Sequence, residues 1–317
     1  MSPIIETREL TRDFHVRDGL RRKRIRAVDE MSFSIDAGAA VGYIGANGAG
    51  KSTTIKMLTG ILVPTSGEVR TCDRRPVQDR RRLAREVGVV FGQRSQLWWD
   101  LPVRESFTIL ASIHALSSAD ERARTDELVD RLEMSEYLST PVRQLSLGQR
   151  MRAEVAAALL HSPRLVILDE PTIGLDVLSK QRLREFLVQE RQTHGTTLLL
   201  TTHDMGDIER LCDRVLVVDH GHLAYDGTLD GLSRTVGAQR VLVVDLAEQT
   251  PDLLGIPDTA HLGSESRGLR QRLAFDAERT TAARVLGAVS EQAEVLDLSI
   301  EEPDIEDVVR RVYAASR

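Results

Sequence analysis

Residues 45–52 read Gly-Ala-Asn-Gly-Ala-Gly-Lys-Ser, a G-x-x-x-x-G-K-S pattern. Glycines at this spacing let backbone N–H groups curl around phosphate oxygens with no Cβ in the way. Lys51 can reach the β- and γ-phosphates of a nucleotide, and the Ser52 hydroxyl can ligate Mg2+. The candidate phosphate-binding set is Gly45, Ala46, Asn47, Gly48, Ala49, Gly50, Lys51, Ser52 and Thr53. Ser146 and Gln149 stand at capping-box spacing, S-x-x-Q, before apolar residues at Met151, Val155 and Leu159. A helix that opens on a serine and a glycine, here Gly148, offers a second anion site.

These residues need elements to hold them. Val41, Tyr43 and Ile44 read as a strand entering the loop, and Ile55, Met57 and Leu58 as the helix leaving it. That context turns a glycine-rich pattern into a nucleotide site. Residues 165–168 are continuously apolar and end in Asp169-Glu170, which suits a buried parallel strand with an acidic tip. Residues 87–91, 198–200 and 215–218 read as further strands, the first ending at Gly92-Gln93 and the second followed by His203. Residues 76–86, 104–139 and 179–193 read as helices, and residues 17–26 as a basic, solvated hairpin loop. Strands alternating with helices predict a parallel sheet covered on both faces. Near Leu229 the pattern changes to separated strands (241–246, 269–275, 295–300) and two helices (about 279–292 and 304–315). The expected organisation is therefore a domain over 1–228, with a helical subdomain at about 94–160, and a small α+β domain over 229–317.

Composition narrows the function classes. The chain has 317 residues, 41% hydrophobic and 28% charged, with a net charge of −6. No global basic field points to nucleic acid. Two cysteines without metal-ligand spacing fit a reducing cytosol. The N-terminal residues show no secretory pattern, and no apolar run approaches the ~18–20 residues of a membrane span.

The remaining motifs follow the phosphate loop in a fixed order: Gln93, Leu145-Ser146-Leu147-Gly148-Gln149, Asp169-Glu170, Gly174-Leu175-Asp176 and His203. With them the chain resembles, over about residues 4–228, the nucleotide-binding subunit of ATP-binding-cassette (ABC) transporters. The resemblance implies a P-loop NTPase cassette with a RecA-like mixed sheet and a helical subdomain. It implies ATP and Mg2+ as ligands and an ATPase activity coupled to translocation. Asp169, with Ser52 and Gln93, would hold Mg2+, a hard cation that takes oxygen ligands. Glu170 would orient and polarise the attacking water. His203 would bond the γ-phosphate, and Gln93 would sense metal and water. Ser146, Gly148, Gln149 and Asp176 would meet the nucleotide of a second copy paired head-to-tail. Two positions depart from the family pattern: Leu147 replaces a glycine, and Ile173 stands where serine is frequent.

Within the family the chain is similar to the daunorubicin-type export branch, which pairs a cassette with separate permeases. Shared features are the basic hairpin, Phe91 to Asp100, Leu145 to Arg150, and Ile300-Glu301-Glu302-Pro303 before a last helix. The implied location is the cytosolic face of the cell membrane, held there by permease chains. Several alternatives stand open at this level. Phe14 is either an adenine-stacking ring or a core residue. Trp98 and Trp99 either grip a permease helix or fill the helical subdomain. The basic segment 17–26 is either solvated or a contact for anionic lipid or a partner. The C-terminal domain either regulates closure or stabilises the fold. A soluble ABC switch acting on nucleic acid, ribosome or a protein partner is the competing function.

Overall fold

The computed structural model describes residues 3–18, 21–91, 95–202, 204–235, 239–276 and 279–301. The chain divides into two compact units, Met1–Thr228 and Leu229–Arg317.

The first unit runs β1 (Ile5–Asp18), β2 (Arg21–Ile35), β3 (Ala40–Gly45), α1 (Lys51–Leu58), β4 (Ser66–Thr71), α2 (Arg80–Leu83) and β5 (Val87–Phe91). It continues with α3 (Val103–His114), α4 (Ser118–Arg131), α5 (Leu147–Leu159), β6 (Leu165–Asp169), α6 (Val177–His194), β7 (Thr197–Thr201), α7 (Met205–Leu211), β8 (Arg214–Asp219) and β9 (His222–Gly227). One sheet has the order β5-β6-β7-β3-β8-β9, parallel except for the antiparallel β8–β9 pair. The second is an antiparallel β2-β1-β4 sheet. The central parallel strands are apolar on both faces. Leu165, Val166, Ile167 and Leu168 are at most 1% exposed, as are Leu199 and Leu200. Each such side chain contributes about 1.5–3 kcal/mol on burial.

Because β3, β6 and β7 are parallel neighbours, their C-terminal ends share one sheet edge. Residues 45–50, Asp169-Glu170 and Thr202 emerge there. This register, more than any single contact, assembles the site.

Three local expectations change. The hairpin at 17–26 is not a loop: β1 and β2 stay paired out to Asp18↔Arg21. Asp13, whose side chain is 3% exposed, anchors the arm by receiving Arg24 and Arg26. The helix expected at 76–86 shrinks to the single turn Arg80–Leu83. Only Leu83 among its arginines is apolar and buried, so no stripe holds a longer helix. Two edge strands also appear that were not expected: β4 is mostly polar and exposed, and β9 is a short alternation in which Leu223 and Tyr225 are half-buried.

The second unit contains α8 (Leu229–Thr235), β10 (Arg240–Leu246), β11 (Thr259–Glu265), β12 (Arg270–Phe275), α9 (Ala282–Ser290) and β13 (Val295–Glu301). Its antiparallel sheet has the order β11-β12-β10-β13. Leu242, Val244, Leu273 and Phe275 pack with Val285 and Val289 of α9. Strand β11 was not expected, because Gly263 and polar residues break its apolar alternation. The helix expected at 304–315, and Glu302-Pro303 before it, lie outside the described residues.

Candidate functional site

The phosphate loop hangs between a buried strand and an open helix end. All six residues of β3 are buried, so the loop's entry point is fixed. Gly50, the N-cap of α1, has φ +105°, and a Cβ there would sit 2.4 Å from the Ala27 carbonyl oxygen. Only glycine fits. No side chain caps α1, which leaves its first N–H groups available to an anion. Ala46, Asn47, Gly48 and Ser52 are exposed, Thr53 is half-buried, and Ala49 and Gly50 are buried.

Lys51 folds back over this loop. Its Nζ donates to the carbonyl oxygens of Gly45 at 2.5 Å and Ala46 at 3.2 Å. Burial lowers its pKa, while the carboxylates of Glu170 and Asp169 act in the opposite direction. The lysine, the acidic pair and the loop thus form one electrostatic unit. The Asp169 carboxylate accepts from Thr201 Oγ1 at 2.5 Å. Glu170 has φ +58°, a left-handed conformation that costs a non-glycine residue about 1–3 kcal/mol. Its N–H is fixed by the Thr201 carbonyl oxygen at 2.9 Å, and its own carbonyl accepts from Ile173 at 3.3 Å. Strain of this kind at a strand tip accompanies functional turns.

The second anion site is built on α5. Ser146 caps it: its Oγ accepts from the Gln149 N–H at 3.2 Å, and Gln149 Oε1 accepts from the Ser146 N–H at 2.9 Å. The start of α5 packs against the loop that leads into α6. A Cβ on Gly148 would lie 3.1 Å from Ser179 Oγ, and one on Gly174 would lie 2.6 Å from Leu147 Cδ2. Leu147 therefore leans over Gly174 while staying 40% exposed. Asp176 caps α6, accepting from Ser179 N–H at 3.0 Å and Ser179 Oγ at 2.6 Å. Those bonds hold its carboxyl below the usual range. The structure thus joins the phosphate loop to Asp169 and Glu170, while Ser146 and Gln149 bond each other within the first turn of α5. Gln93 and His203 lie outside the described residues.

The three aromatic side chains are partly exposed. Phe14 lies on β1 opposite Ile25, is 37% exposed, and carries the Arg12 guanidinium 4.8 Å from its ring centre. Trp98 and Trp99 are 37% and 52% exposed, with Arg150 5.8 Å from the Trp99 ring.

The sequence profile of a family described as ABC transporter matches residues 28–173. The daunorubicin resistance ATP-binding protein DrrA3 of Streptomyces coeruleorubidus is 33% identical over 219 residues, 69% of each chain. The Nod factor export ATP-binding protein I of Burkholderia thailandensis is 37% identical over 258 residues, 80% of this chain and 77% of that one. The chain belongs to the ABC transporter ATP-binding family. A solved ATP-binding subunit of an ABC transporter agrees in fold, with a TM-score of 0.66 at 28% identity over 74% of this chain and 94% of that one.

As an ABC ATPase with a P-loop NTPase fold, the chain uses residues that its motifs do not announce. Asp207 is fully buried and accepts from Thr172 Oγ1, from Thr202 Oγ1 at 3.0 Å and from Arg184 Nε at 2.6 Å. It ties the turn after Glu170 to the end of β7 and to α6. Thr201 fixes Asp169 in the same way. No motif marks either one, because Thr172 and Arg184, which bond Asp207, and Asp169, which Thr201 bonds, are distant in the chain.

Proposed function

We propose that the chain is the ATP-hydrolysing subunit of an exporter, working as a head-to-tail pair beneath separate permease subunits. The observation that carries this reading is the division of the site. One chain holds one phosphate loop joined to Asp169 and Glu170, and one capped α5 start whose hydrogen bonds stay within its own first turn. A second copy supplies the missing half of each site. Export is supported by the relatives named for drug resistance and for Nod factor export.

The residues present fit a nucleotide and its metal. The uncapped start of α1 and the Gly50 turn suit phosphate, and the Ser52 hydroxyl and Asp169 carboxylate are oxygen donors of the kind Mg2+ takes. With Gln93 they would hold Mg2+, which neutralises phosphate charge when bound. Lys51 leaves its carbonyl partners for the β- and γ-phosphates. Glu170 orients the attacking water and takes up its proton, and His203 bonds the γ-phosphate. Ser146, Gly148, Gln149 and Asp176 of the facing copy close the site, and the exposed Phe14 ring stacks on adenine. Closure moves the permeases, which Trp98 and Trp99 grip. Among the described residues no helix is long and apolar enough to cross a membrane. Nucleic acid is not an expected ligand, given the net charge of −6.

The test is Glu170→Gln. Turnover should fall by about 10²–10⁴-fold, while ATP binding persists and a closed dimer accumulates on size-exclusion chromatography. Turnover at the unsubstituted rate would overturn the assignment.

A further inference from the structure

Glu154 lies two turns along α5 from Ser146 and is 5% exposed. A carboxylate so buried must be held by donors. Its donors come from the segment after β5. Ser95 Oγ donates to Oε1, the Gln96 N–H donates to Oε2 at 3.1 Å, and the Gln96 side-chain amide donates to the Glu154 carbonyl oxygen at 3.0 Å. Ser95 Oγ also receives the N–H of Leu97 at 3.1 Å, and Leu97 is buried. The next two residues are the exposed pair Trp98 and Trp99. Arg150, one turn before Glu154 on α5, lies against the Trp99 ring, and the Trp99 carbonyl accepts from the Arg143 N–H at 3.0 Å. The segment 95–99 is therefore fastened to α5 at Glu154 and Arg150, and to the turn that precedes α5 at Arg143.

We infer that Glu154 is a positioning residue that makes the Trp98–Trp99 segment move with α5, so that the Ser146 end of the helix and the tryptophan pair are displaced as one body. A hydrogen-bonded network joined to a rigid helix is the kind of contiguous element that carries such coupling. The helix itself is stiffly seated: Ala153, Val155, Ala156, Ala157 and Ala158 are at most 1% exposed. This inference rests on the ATP-driven closure proposed above. It adds the residue through which the nucleotide end of α5 and the partner-facing surface communicate.

Both tryptophans of the chain lie in this segment, so intrinsic emission reads it without a label. The experiment uses the full-length chain carrying Glu170→Gln, with and without ATP and Mg2+. ATP should change the tryptophan emission and its quenching by acrylamide. Adding Glu154→Ala should leave binding of a fluorescent ATP analogue within about twofold while abolishing that change. Glu154→Gln, which keeps an acceptor for the Gln96 N–H, should restore it. Ser95→Ala, at an exposed residue, should at least halve the change and serves where Glu154→Ala does not fold. A full-sized response in Glu154→Ala or Ser95→Ala overturns the inference. So does an unresponsive tryptophan pair in the Glu170→Gln chain that binds ATP. Absence of ATP binding altogether is a separate result, which overturns the proposed function and this inference with it.

Discussion

At the scale of residues, the candidate site is backed by buried polar groups that lie outside its motifs. Asp207 is the clearest case. It is fully buried and paired with Arg184, whose side chain is 13% exposed. Replacing it by Ala leaves a guanidinium with little solvent and two threonine hydroxyls without their acceptor. Arg184 keeps its 3.3 Å ion pair with Asp204, so Asp207→Ala should cost less than a fully orphaned buried charge and lower the unfolding free energy in urea by about 2–3 kcal/mol. The turn after Glu170 should loosen at the same time, because Thr172 is released. A loss under 1 kcal/mol in the urea titration would mean that the network is not a structural anchor. Motif reading reaches candidate residues that sit within a few positions of one another: the glycines of the loop, Lys51, the Ser146–Gln149 box and the Asp169-Glu170 tip. It passed over Asp207, Thr201 and Glu154, because their partners Thr172, Asp169 and Ser95 lie tens of residues away and follow from the tertiary fold.

At the scale of elements, α4 and α6 are joined by a dense ion-pair cluster. Arg124 and Arg131 of α4 both reach Glu127 and Glu190, and His194 of α6 bonds Glu127 at 3.0 Å. Glu190 is 1% exposed. Burial alone raises the pKa of Glu127, but the bonds from Arg124, His194 and Arg131 outweigh it and hold the group at about 2. A carboxyl depressed in the folded state stabilises above its unfolded pKa and loses that stabilisation as pH falls through the folded value. The cluster's contribution should therefore be full above about pH 4.5 and fade between about pH 4.5 and 2. Thermal melts of the unsubstituted chain and of Glu127→Gln should differ at pH 6 and converge towards pH 2. A gap of constant size would show that Glu127 ionisation does not support this joint. The alternation of strands and helices was legible from apolar runs such as 165–168. The edge strands β4, β9 and β11 were not: β4 is mostly polar, Gly263 breaks β11, and the alternation of Leu223 and Tyr225 in β9 is too short to stand out.

At the scale of the whole molecule, a single chain contains one of each half-site, and this makes a quantitative prediction. Suppose each ATP lies between the Lys51 loop of one copy and the Ser146 helix start of the other. A Lys51→Ala chain then spoils every site through its loop. A Ser146→Arg chain spoils every site through the facing helix end, since a bulky side chain occupies the anion position beside Gly148. Each variant alone should be inactive. A two-fold pair is isologous, so a mixed dimer concentrates both defects in one site and leaves the other intact. Random pairing at equal concentration makes half of the dimers mixed, each with half of its sites sound, and the mixture should recover about a quarter of the unsubstituted ATPase rate if sites act independently. Steady-state phosphate release measures this directly. Sites built within one chain predict no recovery at any mixing ratio. Cooperating sites predict recovery well below a quarter, with ATP binding retained at one site per mixed dimer. The size of the recovered rate therefore reports both whether the site is shared and how strongly its two copies depend on each other.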